Sequence, residues 1–160
     1  MGTPHLYGQA LRKRWGQSLG QWLYLAQKQP TQKDTMSTHG KIGMIGIGMM
    51  GHGIASNLLK HGHPLTVLAH PGNQPLDALL SAGARTVSSA QALAEQADVI
   101  ILCVTGSPQV EAVLLGELGV LQGLKAGSIV IDCSTAIPTS TEKIAAQVQA
   151  HGGRFLDAPM

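Results

Sequence analysis

The stretch KIGMIGIGMMGHGIASNLL, residues 41–59, decides how the rest of the chain is read. A short apolar run, Ile42 to Ile45, passes into Gly46-Ile47-Gly48-Met49-Met50-Gly51 and then into residues with helical spacing. Three glycines so spaced are a weak signal alone; between a strand and a helix they acquire a mechanism. The first permits a tight turn, the second lets the backbone approach a pyrophosphate, and the third lets the helix lie against the strand. The free N–H groups and the positive end of the helix dipole then face the anion. Gly46, Ile47, Gly48, Met49, Met50 and Gly51 are therefore expected to form a dinucleotide-binding loop.

Working downstream, strand and helix patterns alternate. Ile54, Leu58 and Leu59 make a helical stripe that stops at Gly62, and Pro64 to Ala69 reads as the second strand. Residues 74–82 read as a helix closed by Gly83, Arg85 to Val87 as a third strand, and a helix capped by Ser88 or Ser89 runs through Ala97. Val99 to Val104 is a continuous apolar run, as in strands buried on both faces of a parallel sheet. Residues 108–116 read as helix, Gly127 to Asp132 as the fifth strand, Thr139 to Ala150 as a helix, and Arg154 to Leu156 as the sixth strand. This alternation predicts an α/β fold, a doubly wound parallel sheet of Rossmann type in the order 3-2-1-4-5-6.

Ligands of such sheets lie outside the carboxyl ends of the strands. The residues just after each strand are then the glycine loop, Ala69-His70, Thr105-Gly106-Ser107-Pro108, and Asp132-Cys133-Ser134-Thr135. Their small and hydroxyl-bearing side chains suit a bound cofactor. Ser107 and Ser134 read equally well as helix-cap or turn residues.

Working upstream, the composition changes near Lys41. Residues 1–40 carry five Lys/Arg against one acid, Asp34, whereas residues 41–160 carry six against eight. Four of the five aromatic residues, Tyr7, Trp15, Trp22 and Tyr24, also precede the break. Residues 1–40 therefore read as an extension, poorly ordered or foreign to the native protein, and residues 41–160 as the binding domain. Leu11, Trp15, Leu19 and Leu23 recur every four residues, as in a short amphipathic helix. Three readings stay open: an organelle-targeting presequence, a partner-binding or membrane-surface helix, or sequence upstream of a true start at Met36.

The mildly acidic main part has no basic stripe, which argues against nucleic acid as a partner. No apolar run approaches the ~18 residues of a membrane span. Two cysteines, Cys103 and Cys133, form neither a disulfide framework nor a metal-binding spacing. They fit a reduced, cytoplasmic protein, or an organelle matrix if residues 1–35 are a presequence. A methyltransferase loop can also carry Gly-x-Gly, but Asp132-Cys133-Ser134-Thr135 and the lack of an acid after the second strand count against it.

Together, GMIGIGMMGHGIASNLLKHGH (43–63), ADVIILCV (97–104), GSIVIDCST (127–135) and HGGRFLDAP (151–159) resemble the β-hydroxyacid dehydrogenase family, which includes 3-hydroxyisobutyrate dehydrogenase and tartronate semialdehyde reductase. The resemblance implies a cofactor half followed by an all-helical half, hydride transfer from reduced nicotinamide to a small aldehyde, and a lysine of the second half as general acid. It places the main chain of Met49 and Met50 at the pyrophosphate, Val104 and Thr135 at the nicotinamide end, and Ser134 on the substrate side. Asp157-Ala158-Pro159 matches the start of the family's substrate loop. The implied partner is a small aldehyde or hydroxyacid, and the full-length family member is expected to be a homo-oligomer.

Two departures follow. The sequence stops at Met160, inside the substrate loop, and Lys41, Lys60, Lys125 and Lys143 lie in no motif that could replace the missing lysine. The expectation is a cofactor-binding half, inactive by itself, with no catalytic residue of its own; the alternative is a non-catalytic nucleotide-binding module. The second departure is at the end of the second strand, where an acid would take the ribose hydroxyls of NAD. Ala69 and His70 stand there, with no acid before Asp77. His70 reads as a partner for a 2′-phosphate or as an ordinary loop histidine. The cofactor is NADP or NAD, with NADP favoured.

Overall fold

The structure is a computed structural model and describes residues 40–160. The expectations for the segment before Gly40 lie outside the described residues. Six short strands, β1 (Ile42–Ile45), β2 (Leu65–Leu68), β3 (Arg85–Val87), β4 (Val99–Leu102), β5 (Ile129–Asp132) and β6 (Arg154–Asp157), form one sheet in the order β3-β2-β1-β4-β5-β6. Every neighbouring pair is parallel. This is the predicted order. The helices are α1 (Met49–Lys60), α2 (Asp77–Ser81), α3 (Ala90–Ala94), α4 (Ser107–Leu115), α5 (Val120–Gly123) and α6 (Pro138–Ala150).

Apolar side chains on both faces of the strands make two cores. Met44 and Val67 pack with Ile47, Ala55 and Leu79 beneath α1 and α2. Ile45, Ile100, Leu102 and Val130 pack with residues of α3 to α6, among them Leu93, Val110, Leu114 and Ile144. All four residues of β1 are buried, because β1 is central and contributes to both cores.

Three helices end in the same way. Gly62, Gly83 and Gly152 have φ of +80°, +102° and +79°. In each case the glycine N–H and the next N–H bond back to the last turn, as in Gly62 to the Leu59 carbonyl (2.9 Å) and His63 to the Leu58 carbonyl (3.1 Å). This terminator reverses the chain directly into the next strand.

The predicted boundaries shift for local reasons. α2 starts at Asp77 because Gln74 gives its N–H to the Ile47 carbonyl at 2.7 Å, leaving the preceding residues in the loop. α3 starts after Ser89, whose hydroxyl accepts the Ala92 N–H at 3.1 Å. It stops at Ala94, where the following turn tightens through the Gln96 N–H to the Leu93 carbonyl. α5 was not foreseen. It is a single turn that buries Val120 and Leu121. At the amino end of the sheet, Asp98 accepts the Lys41 N–H at 2.9 Å and pairs with Lys125 at 2.7 Å. Lys125 first, then the Lys41 N–H, hold the Asp98 carboxyl below its ordinary value of 3.8.

Candidate functional site

At the carboxyl end of β1 the three glycines of the loop do three different things. Gly46 has φ +92°, and a Cβ there would strike the Cys103 carbonyl at the end of β4. A Cβ at Gly51 would strike the Gly46 carbonyl, so the third glycine packs α1 against the loop as well as the strand. Gly51 and Ala55 are the buried positions of α1, and their small size sets this close approach. Gly48 is the N-cap of α1 and has no side-chain cap. The first N–H groups of the helix therefore have no intrahelical partner. A Cβ added at Gly48 meets nothing within 4 Å. The open space and the unpaired donors lie together, as an anion site at a helix start requires.

A cleft of about 310 Å³ opens from this loop. Ile45 to Gly48 form its floor. Leu68, His70, Gly72 and Asn73 form one wall, and Cys103, Val104 and Thr105, with Gln109 and Val113 of α4, form the other. Among the described residues, no Lys, Arg, Asp or Glu lines it. The cleft thus brings together Gly46, Ile47, Gly48, His70, Val104 and Thr105 from the predicted site. Met49 and Met50 are 84% and 61% exposed and do not line this cleft. Thr135 is exposed beside Gly106 and does not line the cleft.

The loop after β2 is held by its own polar groups. The Gly72 N–H donates to His70 Nδ1 at 3.0 Å, and the Asn73 side chain donates to the Leu68 carbonyl at 2.8 Å. With Nδ1 accepting, the ring proton sits on Nε2, which can donate to an anion without the ring being charged. The bond from Gln74 to Ile47 ties this loop to the glycine loop. Sequence reading missed Asn73. Its signal was the Pro71-Gly72-Asn73 turn chemistry. Gln109 and Val113, one helical turn apart on α4, were also missed.

The loops after β4 and β5 are clasped by two serines. The Val104 N–H donates to Ser134 Oγ at 3.0 Å, and the Ile137 N–H donates to Ser107 Oγ at 2.7 Å. Each loop thus supplies a hydroxyl to the other's main chain. Ser107 and Ser134 are 6% and 2% exposed, and neither caps its own helix. Removing Ser134 Oγ would leave the part-buried Val104 N–H unpaired, at a cost of about 1–3 kcal/mol, whereas Ile137 is 62% exposed and its N–H could turn to water. Asp132, 1% exposed, accepts the Ser134 N–H at 2.9 Å through Oδ1, and its Oδ2 has no hydrogen-bond partner among the described residues. Ser134, expected to face substrate, is therefore placed beneath the surface with its oxygen directed to Val104.

Cys103 and Cys133 lie side by side, one residue beyond the Leu102–Asp132 register. Burial first, then the Asp132 charge, raises the Cys103 thiol; burial, Cys103 and Asp132 raise Cys133. Both are thus thiols rather than nucleophilic thiolates at neutral pH. Among the described residues, no three His, Cys, Asp or Glu gather as a metal site, and no helix is long and apolar enough to cross a membrane.

A sheet of this order, with a glycine loop opening on a cleft at its switch point, defines a dinucleotide-binding domain. Residues 41–160 match the family described as the NAD binding domain of 6-phosphogluconate dehydrogenase, and the chain belongs to it. The chain is 41% identical over 120 residues to 2-hydroxy-3-oxopropionate reductase of Escherichia coli, covering 75% of this chain and 40% of the relative. It is 37% identical over 123 residues to the cytokine-like nuclear factor N-PAC of Xenopus tropicalis, covering 77% of this chain and 23% of that protein. The solved 3-hydroxyisobutyrate dehydrogenase of Salmonella typhimurium superposes with a TM-score of 0.67 at 33% identity, over 74% of this chain and 41% of that one. The chain therefore spans less than half the length of these relatives. The β-hydroxyacid dehydrogenase resemblance read from the sequence is confirmed.

Proposed function

We propose that residues 41–160 bind a dinucleotide with its pyrophosphate over Gly48. In this reading they serve as the cofactor half of an NAD(P)-dependent β-hydroxyacid dehydrogenase or aldehyde reductase. The observation that carries this reading is the open space at Gly48 beside the uncapped start of α1. The nicotinamide, when bound, supplies the hydride. The chain's own part is to bind and orient. N–H groups at the start of α1 donate to the pyrophosphate. Leu68, Val104 and Val113 offer apolar walls that exclude water from the cleft, Thr105 and Thr135 offer hydroxyls at the ends of β4 and β5, and Ser134 acts through Val104.

The cofactor reading favours NADP. No acid stands at Ala69 or His70 to take ribose hydroxyls, and His70 Nε2 is free to donate to a 2′-phosphate. The substrate class, carried from the reductase relative, is a small aldehyde bearing a hydroxyacid. Among the described residues the cleft holds no acid or lysine, and its one thiol is raised, so the proton for the alkoxide is assigned to the lysine of the family's second half. Residues 41–160 are accordingly expected to bind cofactor and not to reduce aldehyde. The paired free thiols fit a reducing compartment. A non-catalytic nucleotide-binding module is the second reading; one relative that shares this stretch is named a cytokine-like nuclear factor rather than a reductase.

Calorimetric titration of the 160-residue chain with NADPH and NADH tests the first reading. Saturable binding, tighter for NADPH, is expected. Absence of binding by either dinucleotide in folded protein would sink it.

A further inference from the structure

The reciprocal serine bonds join two loops that the sequence separates. Val104 lines the cleft; Ile137 does not, and it is 62% exposed at the start of α6. Ser134 holds Val104, and Ser107, three residues beyond Val104, holds Ile137. Both bonds span 30 residues and run in opposite senses, so neither loop can shift without breaking a bond of each kind. Asp132 fixes Ser134 from below through Oδ1, and its own carbonyl accepts the Ala158 N–H at 2.8 Å, which ties in the segment after β6. Val104, Ser134, Asp132 and Ala158 therefore form one hydrogen-bonded set across three strand ends, and the Ser107–Ile137 bond lies beside it.

Resting on the dinucleotide reading, we propose that Ser107 and Ser134 are positioning residues that make the loops after β4 and β5 one rigid unit. A dinucleotide seated against Val104 then fixes Ile137 and the start of α6, although it touches neither. The route is mechanical: a ligand that holds the Val104 main chain holds Ser134, and through the second bond Ser107 holds Ile137. The surface around Ile137 and Asp157-Ala158-Pro159 is thereby set by cofactor occupancy.

Amide hydrogen exchange on the 160-residue chain, with and without NADPH, tests this. In the unaltered protein NADPH should slow exchange at Gly46 to Gly51, at Val104 and at Ile137. The decisive readings are crossed. In Ser134→Ala the Ile137 N–H keeps its own acceptor, Ser107, yet its response to NADPH should weaken. In Ser107→Ala the Val104 N–H keeps Ser134, yet its response should weaken. Each variant should bind NADPH about tenfold more weakly, and the double variant no more weakly than either, because the bonds act as a unit. Ser134→Thr, which keeps the hydroxyl, should restore the Ile137 response and guards against misreading a merely destabilised protein. Protection at the glycine loop without protection at Ile137 overturns the coupling and leaves the cofactor reading intact. Protection at neither site overturns the cofactor reading itself. An undiminished Ile137 response in Ser134→Ala, or additive losses in the double variant, also defeats the proposal.

Discussion

At the amino ends of the strands the chain turns on four left-handed glycines, Gly62, Gly83, Gly127 and Gly152, and side-chain charge closes the edge through Asp98 and Lys125. At the carboxyl ends, among the described residues, one left-handed glycine remains, Gly46, α1 begins with no side-chain cap, and no charged side chain lines the cleft. One end is finished by its own groups; the other keeps main-chain donors and open space for something else. The contrast teaches that glycine has two uses here. At the amino end it lets the chain reverse. At Gly48 and Gly51 it removes side chains so that other atoms can come close.

The contrast is broken most severely at Gly51. Gly51→Ala drives a Cβ into the Gly46 carbonyl, so α1 must move away from the loop. A loss of about 3 kcal/mol, the upper range for overpacking, is expected in urea denaturation, together with loss of NADPH binding. Gly48→Val separates the two uses. The side chain enters empty space, so stability should change by no more than a helix-cap effect of about 1 kcal/mol. NADPH affinity should fall at least ~100-fold, equivalent to about 2.7 kcal/mol. Retained affinity in a folded Gly48→Val protein would falsify the pyrophosphate placement.

His70→Asp sharpens the comparison within the carboxyl end. The variant supplies the missing acid and removes the Nε2 donor, so preference should pass from NADPH to NADH, by about tenfold or ~1.4 kcal/mol in titration. An unaltered preference would show that the loop after β2 does not read the 2′ position. The smallest effect belongs to the amino end. Asp98 has a lowered carboxyl, so its contribution is fully present above the ordinary value of 3.8 and is lost as pH falls through the lower folded value. The pair is 42% and 50% exposed, which limits it to under ~1 kcal/mol. Asp98→Asn should lower stability slightly at neutral pH and flatten its dependence on pH below 3.8.

The strand order and the glycine loop were legible because both rest on contiguous patterns. An apolar run, a glycine triplet and a helix start each act within a few residues, and parallel crossovers of one hand leave few ways to connect them. Gly48 was singled out by spacing alone, and the structure places open space there. Ser107 and Ser134 were legible only as hydroxyls near a ligand or as local caps. Their bonds cross 30 residues and exist only once β4 lies beside β5, so no local pattern carries them. α5 escaped because one turn has too few residues to show a period. His70 was visible as a residue, but the bond from Gly72 that fixes its tautomer depends on how the turn closes.

The strand order also carries a schedule. A ribosome releases β1, β2 and β3 first, and these three can pair at once, while the other edge of β1 waits for β4. Lys41 and Asp98, which meet at the start of that later pairing, are 57 residues apart. Until β4 emerges, β1 is an unpaired strand edge in a nascent chain, of the kind that attracts other chains. The cleft is likewise missing the wall made by Cys103, Val104 and Thr105 during that interval. Cofactor can therefore assist only the later stage of folding, after β1 has acquired its second neighbour.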